Sequence, residues 1–229
     1  MSLAGSLQYG EAHVWQVSLD NPIWDMFSSV LSDDECERAA RFATPQLQQH
    51  FRRCRSALRL VLARYLNRPA SGLKFSYGEF GKPSLAEHRL QFNLSHSKDQ
   101  GLIAISSHAV GIDLEFIKPP GSDLPGLIDM VCHANEKVQL EGLPEADKLA
   151  AFYRLWSRKE AYCKMRGAGL QISLPGLHFV PGATDKLHAV AADDGSANGS
   201  YVYDLIPPPG FSANICLPLA DAKLAVFRA

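Results

Sequence analysis

The segment VGIDLEF at residues 110–116 decides how the chain is interpreted, because apolar and polar side chains alternate along it. Ile112 and Leu114 fall on one face, whereas Asp113 and Glu115 fall on the other. A period of two residues is typical of a half-buried β-strand, and it places both carboxylates on one face about 6.5–7 Å apart. Two hard oxygen donors at this spacing suit Mg²⁺, although a solvated face at a sheet edge would carry the same pattern.

A second informative segment, WSRKEAYCK at residues 156–164, has the periodicity of an amphipathic helix. Lys159 and Glu160 stand where the apolar stripe of this helix would otherwise continue. Glu160 shares one helical face with Trp156 and Lys164, because these residues are four apart. The segment predicts either a functional carboxylate beside an ammonium group or an exposed Glu–Lys pair worth about 0.2–0.5 kcal/mol.

The first half of the chain contains two helix signals followed by strands. A capping box at residues 32–35 predicts a short helix that ends near Phe42. Thr44 and Pro45 begin a longer helix that ends near residue 67. Short strands follow, and residues 106–108 are predicted to form a hairpin turn that leads into the strand with both carboxylates.

The second half repeats this order of elements. Helical segments, a long helix over about residues 145–166 and a final set of strands follow one another. We therefore expect an α+β protein with pseudo-twofold symmetry, made of two similar halves at residues 1–112 and 113–229.

Composition limits the classes of function. The chain has 229 residues with 23 Lys and Arg against 24 Asp and Glu, and a net charge of −1 offers no overall field for nucleic acid. The five cysteines show no CxxC pair, which favours reduced thiols in a cytoplasm. We expect neither secretion nor membrane insertion, since a signal-peptide pattern and an apolar run of about 18 residues are both missing.

Taken together, GIDLE at residues 111–115, WSRKEAYCK at 156–164 and GAGL at 167–170 resemble the paired signature of the Sfp-type 4′-phosphopantetheinyl transferases. FGKP at residues 80–83 and FNLSHS at residues 92–97 are also similar to segments of this family. The resemblance implies two α+β halves with the active site in the cleft between them. It also implies transfer of phosphopantetheine from coenzyme A to a serine of an acyl or peptidyl carrier protein.

Site residues follow from the resemblance, position by position. It implies that Asp113, Glu115 and Glu160 bind Mg²⁺ together with the coenzyme A pyrophosphate. Glu160 would also help to deprotonate the serine, and Lys159 and Lys164 would neutralise phosphate oxygens. Lys164 could in addition assist the leaving group.

The coenzyme A contacts implied by the resemblance lie mainly in the first half. Arg55 with Ser56 would hold the phosphoadenosine end, and Lys82 would contact adenine or phosphate. Ser95 and His96 would lie against the phosphates, His96 as a member of the catalytic set. Family members of this length are usually monomers, and carriers of fatty acid, polyketide and nonribosomal peptide synthesis all remain open as acceptors.

Two other classes of function are compatible with parts of the sequence. Arg52, Arg55 and Arg59 share a helical face that could belong to a non-catalytic RNA-binding or carrier-binding module, but the acidic residues would then be unexplained. A different Mg²⁺-dependent phosphoryl enzyme is the other class. Residues 78–83 do not form a P-loop, because the glycine spacing differs and proline replaces the required Ser or Thr.

Overall fold

Two β-sheets and a helix that lies across the second of them form the frame of the protein. The computed structural model describes residues 7–85, 90–118, 123–184 and 186–229, without the side chain of Leu170. The α+β class expected from the sequence is confirmed. In the described part of the chain, no helix is both long and apolar enough to cross a membrane.

The first sheet contains four strands, β1 (Glu11–Ser18), β4 (Gln91–Ser97), β5 (Gln100–Ser106) and β11 (Lys223–Arg228). Their order in the sheet is β11-β1-β5-β4. A separate two-stranded sheet joins β2 (Ser76–Tyr77) and β3 (Pro83–Ser84). Two helices, α1 (Asp33–Ala40) and α2 (Pro45–Leu66), complete this half, and Leu58 and Leu62 of α2 pack with Trp15 and Ile103 of the sheet in one core.

Both helices of the first half begin where the sequence predicts. The backbone N–H of Ser32 donates to Glu35 at 3.1 Å, as expected for a capping box. Thr44 caps α2 by accepting from the Leu47 N–H at 3.3 Å. The helix ends at Asn67, whose φ of 50° lies in the left-handed region that Asn tolerates.

The second sheet contains five strands, β6 (Gly111–Phe116), β7 (Leu177–Pro181), β8 (Leu187–Ala192), β9 (Tyr201–Asp204) and β10 (Phe211–Leu217). Their order in the sheet is β6-β10-β9-β8-β7. The helices of this half are α3 (Leu124–Val131), α4 (Ala134–Glu141) and α5 (Glu145–Arg166). The bounds of α5 agree with the predicted helix.

Glycine at position 111 allows α5 to lie directly on β6. A Cβ atom there would be 2.0 Å from the Ala161 carbonyl oxygen and 2.2 Å from the Met165 amide nitrogen, both backbone atoms that cannot rotate away. The side chain that is missing at Gly111 therefore sets how close the helix approaches the strand.

Side chains of β4 join the two sheets at the place where β6 runs beside it. Three alternate side chains of β4 accept hydrogen bonds from three alternate backbone N–H groups of β6. The pairs are Asn93 with Ile112 at 2.8 Å, Ser95 with Leu114 at 3.2 Å and Ser97 with Phe116 at 3.1 Å. These bonds bring Asp113 and Glu115 to the junction of the two sheets.

The strand connections differ from the sequence prediction in two respects. Residues 106–108 do not form a hairpin, because β5 and β6 lie in different sheets and the N–H groups of β6 are taken by β4 side chains. The last strand, β11, pairs in parallel with β1 of the first sheet. The expected division between the halves after residue 112 falls inside β6. This boundary stays a prediction.

Candidate active site

Three elements supply the candidate site at the junction of the two sheets. Asp113 and Glu115 come from β6, Glu160 and Lys164 from α5, and Ser95 from β4. Four predicted residues of the two motifs are thus brought together, with Glu160 and Lys164 of α5 beside the carboxylates of the strand.

Asp113 lies at the centre of this site and is only 1% exposed. Its Oδ1 accepts from Lys164 Nζ at 2.5 Å and from Ser95 Oγ at 3.1 Å. The Lys164 ammonium also donates to Ser95 Oγ at 2.9 Å. The other carboxylate oxygen, Oδ2, is buried and has no hydrogen-bond partner among the described residues, which normally costs about 1–3 kcal/mol or more for a charged group.

Both glutamates of the site are held in an environment that disfavours their charge. Desolvation is the largest cause that raises the pKa of Glu115 to about 7, and the negative charges of Asp113 and Glu160 add to it. Desolvation and Asp113 likewise raise the pKa of Glu160. Lys164 opposes both shifts without cancelling them.

The three carboxylates share an electrostatic environment without forming one compact set of ligands. Within the described ranges, the group of three metal-ligating side chains whose donor atoms lie within 4.8 Å of one another is His133, His178 and Asp193. Joint ligation of one cation by Asp113, Glu115 and Glu160 therefore stays a prediction.

Residues that sequence reasoning missed fix α5 against the sheet. Ser157 Oγ, fully buried, contacts Ser212 Oγ at 2.7 Å and donates to Asn214 Oδ1 at 2.5 Å. Asn214 and Ser212 are the register partners of Asp113 and Glu115 in the β10–β6 pair. These contacts fix the position of Glu160 over the two acidic residues. In the sequence, the one indication of these contacts was Ser157, a polar residue inside the WSRKE segment.

Three adjoining cavities form a cleft that leads away from the carboxylates. The first, about 290 Å³, is bordered by Glu160, Lys164 and Lys82. The second, also about 290 Å³, is bordered by Lys164, His96 and Arg55. The third, about 560 Å³, is bordered by Arg38, Arg41 and Tyr77. The first and second share Lys164, and the second and third share Arg38 and Tyr77, so the cleft is continuous.

Lys82 and His96 border this cleft, and their contacts with coenzyme A stay predictions. Lys82 Nζ donates to the carbonyls of Val110 and Met165, each at 3.0 Å, and desolvation lowers its pKa to about 8. His96 is partly accessible to solvent at the cleft. Desolvation is the largest cause that lowers its pKa, and the nearby Lys164 and His50 add to it. Near neutral pH this ring favours the uncharged form, which can both donate and accept a hydrogen bond.

Lys159 does not face the cleft, which corrects its predicted contact with phosphate. The side chain is 0% exposed and pairs with Glu136 at 2.6 Å. Its Nζ also donates to the carbonyls of Val131, Leu174 and Leu177 at 2.7–2.9 Å. All three N–H donors of the ammonium therefore have backbone acceptors, and these bonds hold the chain around Val131, Leu174 and Leu177 against α5.

The arginines of α2 also require a correction. Arg55 and Arg59 are buried and bind opposite oxygens of Glu35, which is 1% exposed, whereas Arg52 is exposed. The arginine face suggested for RNA is therefore not formed. Arg55 still borders the cleft, but Ser56 donates to the Phe27 carbonyl at 3.3 Å and borders a different cavity.

Residues 109–204 match the family model described as the 4′-phosphopantetheinyl transferase superfamily. The chain is 39% identical over 167 residues to 4′-phosphopantetheinyl transferase HetI of Nostoc sp., covering 70% of each chain. It is 31% identical over 207 residues to 4′-phosphopantetheinyl transferase Sfp of Bacillus subtilis, covering 83% of this chain and 89% of that one. A crystal structure of Thermotoga maritima holo-[acyl-carrier-protein] synthase is 18% identical with a TM-score of 0.38, covering 48% of this chain and 61% of that one. The matched range 109–204 contains Asp113, Glu115 and Glu160.

Proposed function

We propose, from the premise that the chain belongs to the 4′-phosphopantetheinyl transferase superfamily, that its donor is coenzyme A and that its reaction depends on Mg²⁺. The acceptor would be a serine of an acyl or peptidyl carrier protein, and 3′,5′-adenosine bisphosphate would be released. The observation that carries this proposal is the buried, unpartnered Oδ2 of Asp113 beside two carboxyl groups of raised pKa.

The residues of the site fit a hard divalent cation. Asp113, Glu115 and Glu160 offer oxygen donors only, which is the donor set that Mg²⁺ prefers. Among the described residues, Lys164 is the ammonium in contact with Asp113, so the three carboxylates carry more negative charge than it neutralises. When bound, Mg²⁺ would supply charge neutralisation for the pyrophosphate and the phosphoryl group under attack.

In the proposed transfer, the serine oxygen forms a bond to the phosphorus next to the pantetheine arm. The bond from that phosphorus to the bridging pyrophosphate oxygen breaks, and 3′,5′-adenosine bisphosphate leaves with the bonding electrons. Glu160 would accept the serine proton, directly or through water, and its raised pKa brings it closer to neutral pH, which improves a general base. A carboxylate that also binds the cation is a weaker base, so the two roles of Glu160 compete.

Cationic and polar side chains along the cleft would place the donor. Lys164 and His96 border the cleft, where Lys164 would neutralise phosphate oxygens and neutral His96 would donate a hydrogen bond to them. Ser95, whose hydroxyl donates to Asp113, would contribute by accepting from Lys164 and so holding the ammonium in place. Lys82 borders the same stretch of cleft. The first helix is rich in acidic residues, yet Arg38 and Arg41 border the far cavity and are suited to bind the 3′-phosphate.

Acceptor range and cellular setting are also proposals. Carriers from fatty acid, polyketide and nonribosomal peptide synthesis are all candidate acceptors. The five cysteines are free, and four of them are buried, which supports a reducing, cytoplasmic setting. We propose a monomer, because the described cleft is formed by residues of a single chain.

Mass spectrometry of a purified apo acyl carrier protein tests the proposed activity. After incubation with the protein, coenzyme A and Mg²⁺, the carrier should gain the mass of one phosphopantetheine arm. EDTA should prevent the gain, and a carrier whose acceptor serine is replaced by alanine is the matched control. No gain on carriers from all three types of synthesis, with a folded protein, would contradict the proposal.

A further inference from the structure

His133, His178 and Asp193 form a second cluster of ligand-type side chains, outside the cleft. One donor atom from each lies within 4.8 Å of the donors of the other two. His133 Nε2 and Asp193 Oδ1 are 3.5 Å apart. This separation is long for a hydrogen bond, whereas two ligands of one tetrahedral zinc ion, at bonds of about 2.0–2.1 Å, lie about 3.4 Å apart.

The fold holds all three side chains on well-defined elements. His133 is the N-cap residue of α4, and His178 lies on β7, where it pairs with Ala191 of β8. Asp193 follows β8 directly, and its backbone N–H donates to the Gly176 carbonyl at 3.1 Å. The two histidine rings lie against each other with centroids 4.7 Å apart. The cluster therefore does not depend on a single loop.

Lys159 fixes the two chain segments that carry the histidines. It binds the carbonyl of Val131, two residues before His133, and that of Leu177, one residue before His178. A buried ammonium thus holds both backbones from the side of α5. This preorganisation reduces the ordering that a ligand at the cluster would otherwise require.

One ring nitrogen of His178 lacks a hydrogen-bond partner among the described residues, which is a second observation at this cluster. His178 Nδ1 is buried and has no hydrogen-bond partner in the described structure. Such an atom costs free energy unless something satisfies it. His133 uses its other nitrogen, since Nδ1 accepts from the Asn135 N–H at 3.2 Å, and Nε2 is the nitrogen turned to Asp193.

From this geometry we propose that His133, His178 and Asp193 form a binding site for a borderline divalent transition-metal ion, of which Zn²⁺ is the representative. Two imidazoles with one carboxylate are typical zinc ligands, whereas Mg²⁺ requires oxygen ligands. The site therefore differs in metal preference from the acidic cleft. It would link the start of α4 to the β7–β8 edge of the second sheet.

Binding through His133 Nε2 has a defined proton balance. The neutral ring that accepts the Asn135 N–H at Nδ1 carries its proton on Nε2. On ligation this proton leaves Nε2 and one is taken up at Nδ1, so the ring stays neutral and the backbone cap is lost. Loss of this N-cap lowers the zinc affinity without preventing a three-ligand site.

Zinc binding to the purified full chain tests the proposal. Isothermal titration calorimetry with Zn²⁺ is performed in excess Mg²⁺, so that the acidic cleft does not contribute. We expect one Zn²⁺ per chain, a rise in Tm and, with Co²⁺ in place of Zn²⁺, visible absorption that reports nitrogen ligation.

Two variants assign the ligands. His133→Asn keeps a side-chain acceptor for the cap but removes the imidazole, and Asp193→Asn keeps the shape but removes the charge. Each should lower zinc affinity at least tenfold, because even indirect partners of a metal contribute about 10–100-fold. His108→Asn, the same change at a histidine outside the cluster, should leave the affinity unchanged. Wild-type zinc affinity in His133→Asn, or no zinc bound by the wild type, would overturn the proposal.

Discussion

Two buried clusters of charge differ in whether both oxygens of the central carboxylate have partners. In the first half, Glu35 receives Arg55 and Arg59, and both of its oxygens have partners. In the cleft, Asp113 receives the ammonium of Lys164 but keeps one oxygen unpaired, with Glu115 and Glu160 nearby. A carboxylate with both oxygens paired stabilises the fold, whereas an unpaired oxygen amid unbalanced negative charge marks a place where a ligand supplies what the protein lacks.

The comparison explains why charged residues of the same type differ in role. Arg59 donates to Glu35, Ser32 and two backbone carbonyls, so four of its five N–H groups already have acceptors. Lys159 and Lys164 differ in the same way, although both lie on α5. Lys159 is fully buried among acceptors, and Lys164 is partly exposed at the cleft.

Removing the charge of Glu35 should have the largest effect on stability. Glu35→Gln leaves two buried guanidinium groups without their counter-ion, and we expect a loss of about 3–5 kcal/mol in the free energy of unfolding. Urea denaturation measures it, with Glu37→Gln, an exposed change on the same helix, as the control expected to stay within about 0.5 kcal/mol. A loss below about 1 kcal/mol for Glu35→Gln would show that the cluster does not stabilise the fold.

Gly111→Ala should separate α5 from β6 and so disturb the unbalanced cluster without touching a charge. The new Cβ would meet the Ala161 carbonyl oxygen at 2.0 Å, and overpacking of this kind costs about 1–3 kcal/mol. The transfer rate of the folded fraction should also fall, because Glu160 moves away from Asp113. Gly72→Ala, which meets nothing within 4 Å, is the matched control. Unchanged transfer in Gly111→Ala would contradict the positioning role of the helix contact.

Arg38→Gln extends the comparison to a charge at the far end of the cleft. We expect the KM for coenzyme A to rise roughly tenfold, since a charge-assisted hydrogen bond to phosphate is worth about 1.5–3 kcal/mol. With dephospho-coenzyme A, which lacks the 3′-phosphate, wild type and variant should have similar KM values. If the ratio of KM values for coenzyme A and dephospho-coenzyme A were the same in wild type and Arg38→Gln, Arg38 would not bind the 3′-phosphate.

Replacing Glu115 should have a smaller effect on stability than replacing Glu35, and of opposite sign, because Glu115→Gln should stabilise the fold as pH rises. The folded-state pKa of Glu115 is raised to about 7 from 4.5, so its contribution to stability is full below about pH 4.5 and is lost as pH rises through about 7. Without metal, Glu115→Gln should therefore become more stable relative to wild type between pH 5 and pH 8. Thermal unfolding across this range measures the difference, and added Mg²⁺ should reduce it. A difference in Tm between Glu115→Gln and wild type that stays constant over this pH range would contradict the raised pKa of Glu115.

Local signals predicted the helices well, because caps and periodicity act within a few residues. Thr44 and Asn67 bound α2, and the extent of α5 follows from its apolar stripe. Pairing of β11 with β1 was not predictable in this way, since it joins opposite ends of the chain. Among the site residues, the acidic motifs were found from spacing, but the burial of Lys159 and the pairing of Arg59 depend on partners distant in sequence.

The transfer rate of Asp113→Asn tests the central claim most directly, because this change removes the unbalanced charge with almost no change in shape. Phosphopantetheine transfer to an apo carrier is followed at saturating coenzyme A over a range of Mg²⁺ concentrations, with the folded fraction checked by circular dichroism. We predict stability equal to or above that of wild type and a transfer rate at least about 100-fold lower, in line with the loss of a group that stabilises transition-state charge. A folded variant that transfers within about threefold of wild type, with the same Mg²⁺ dependence, would contradict the account.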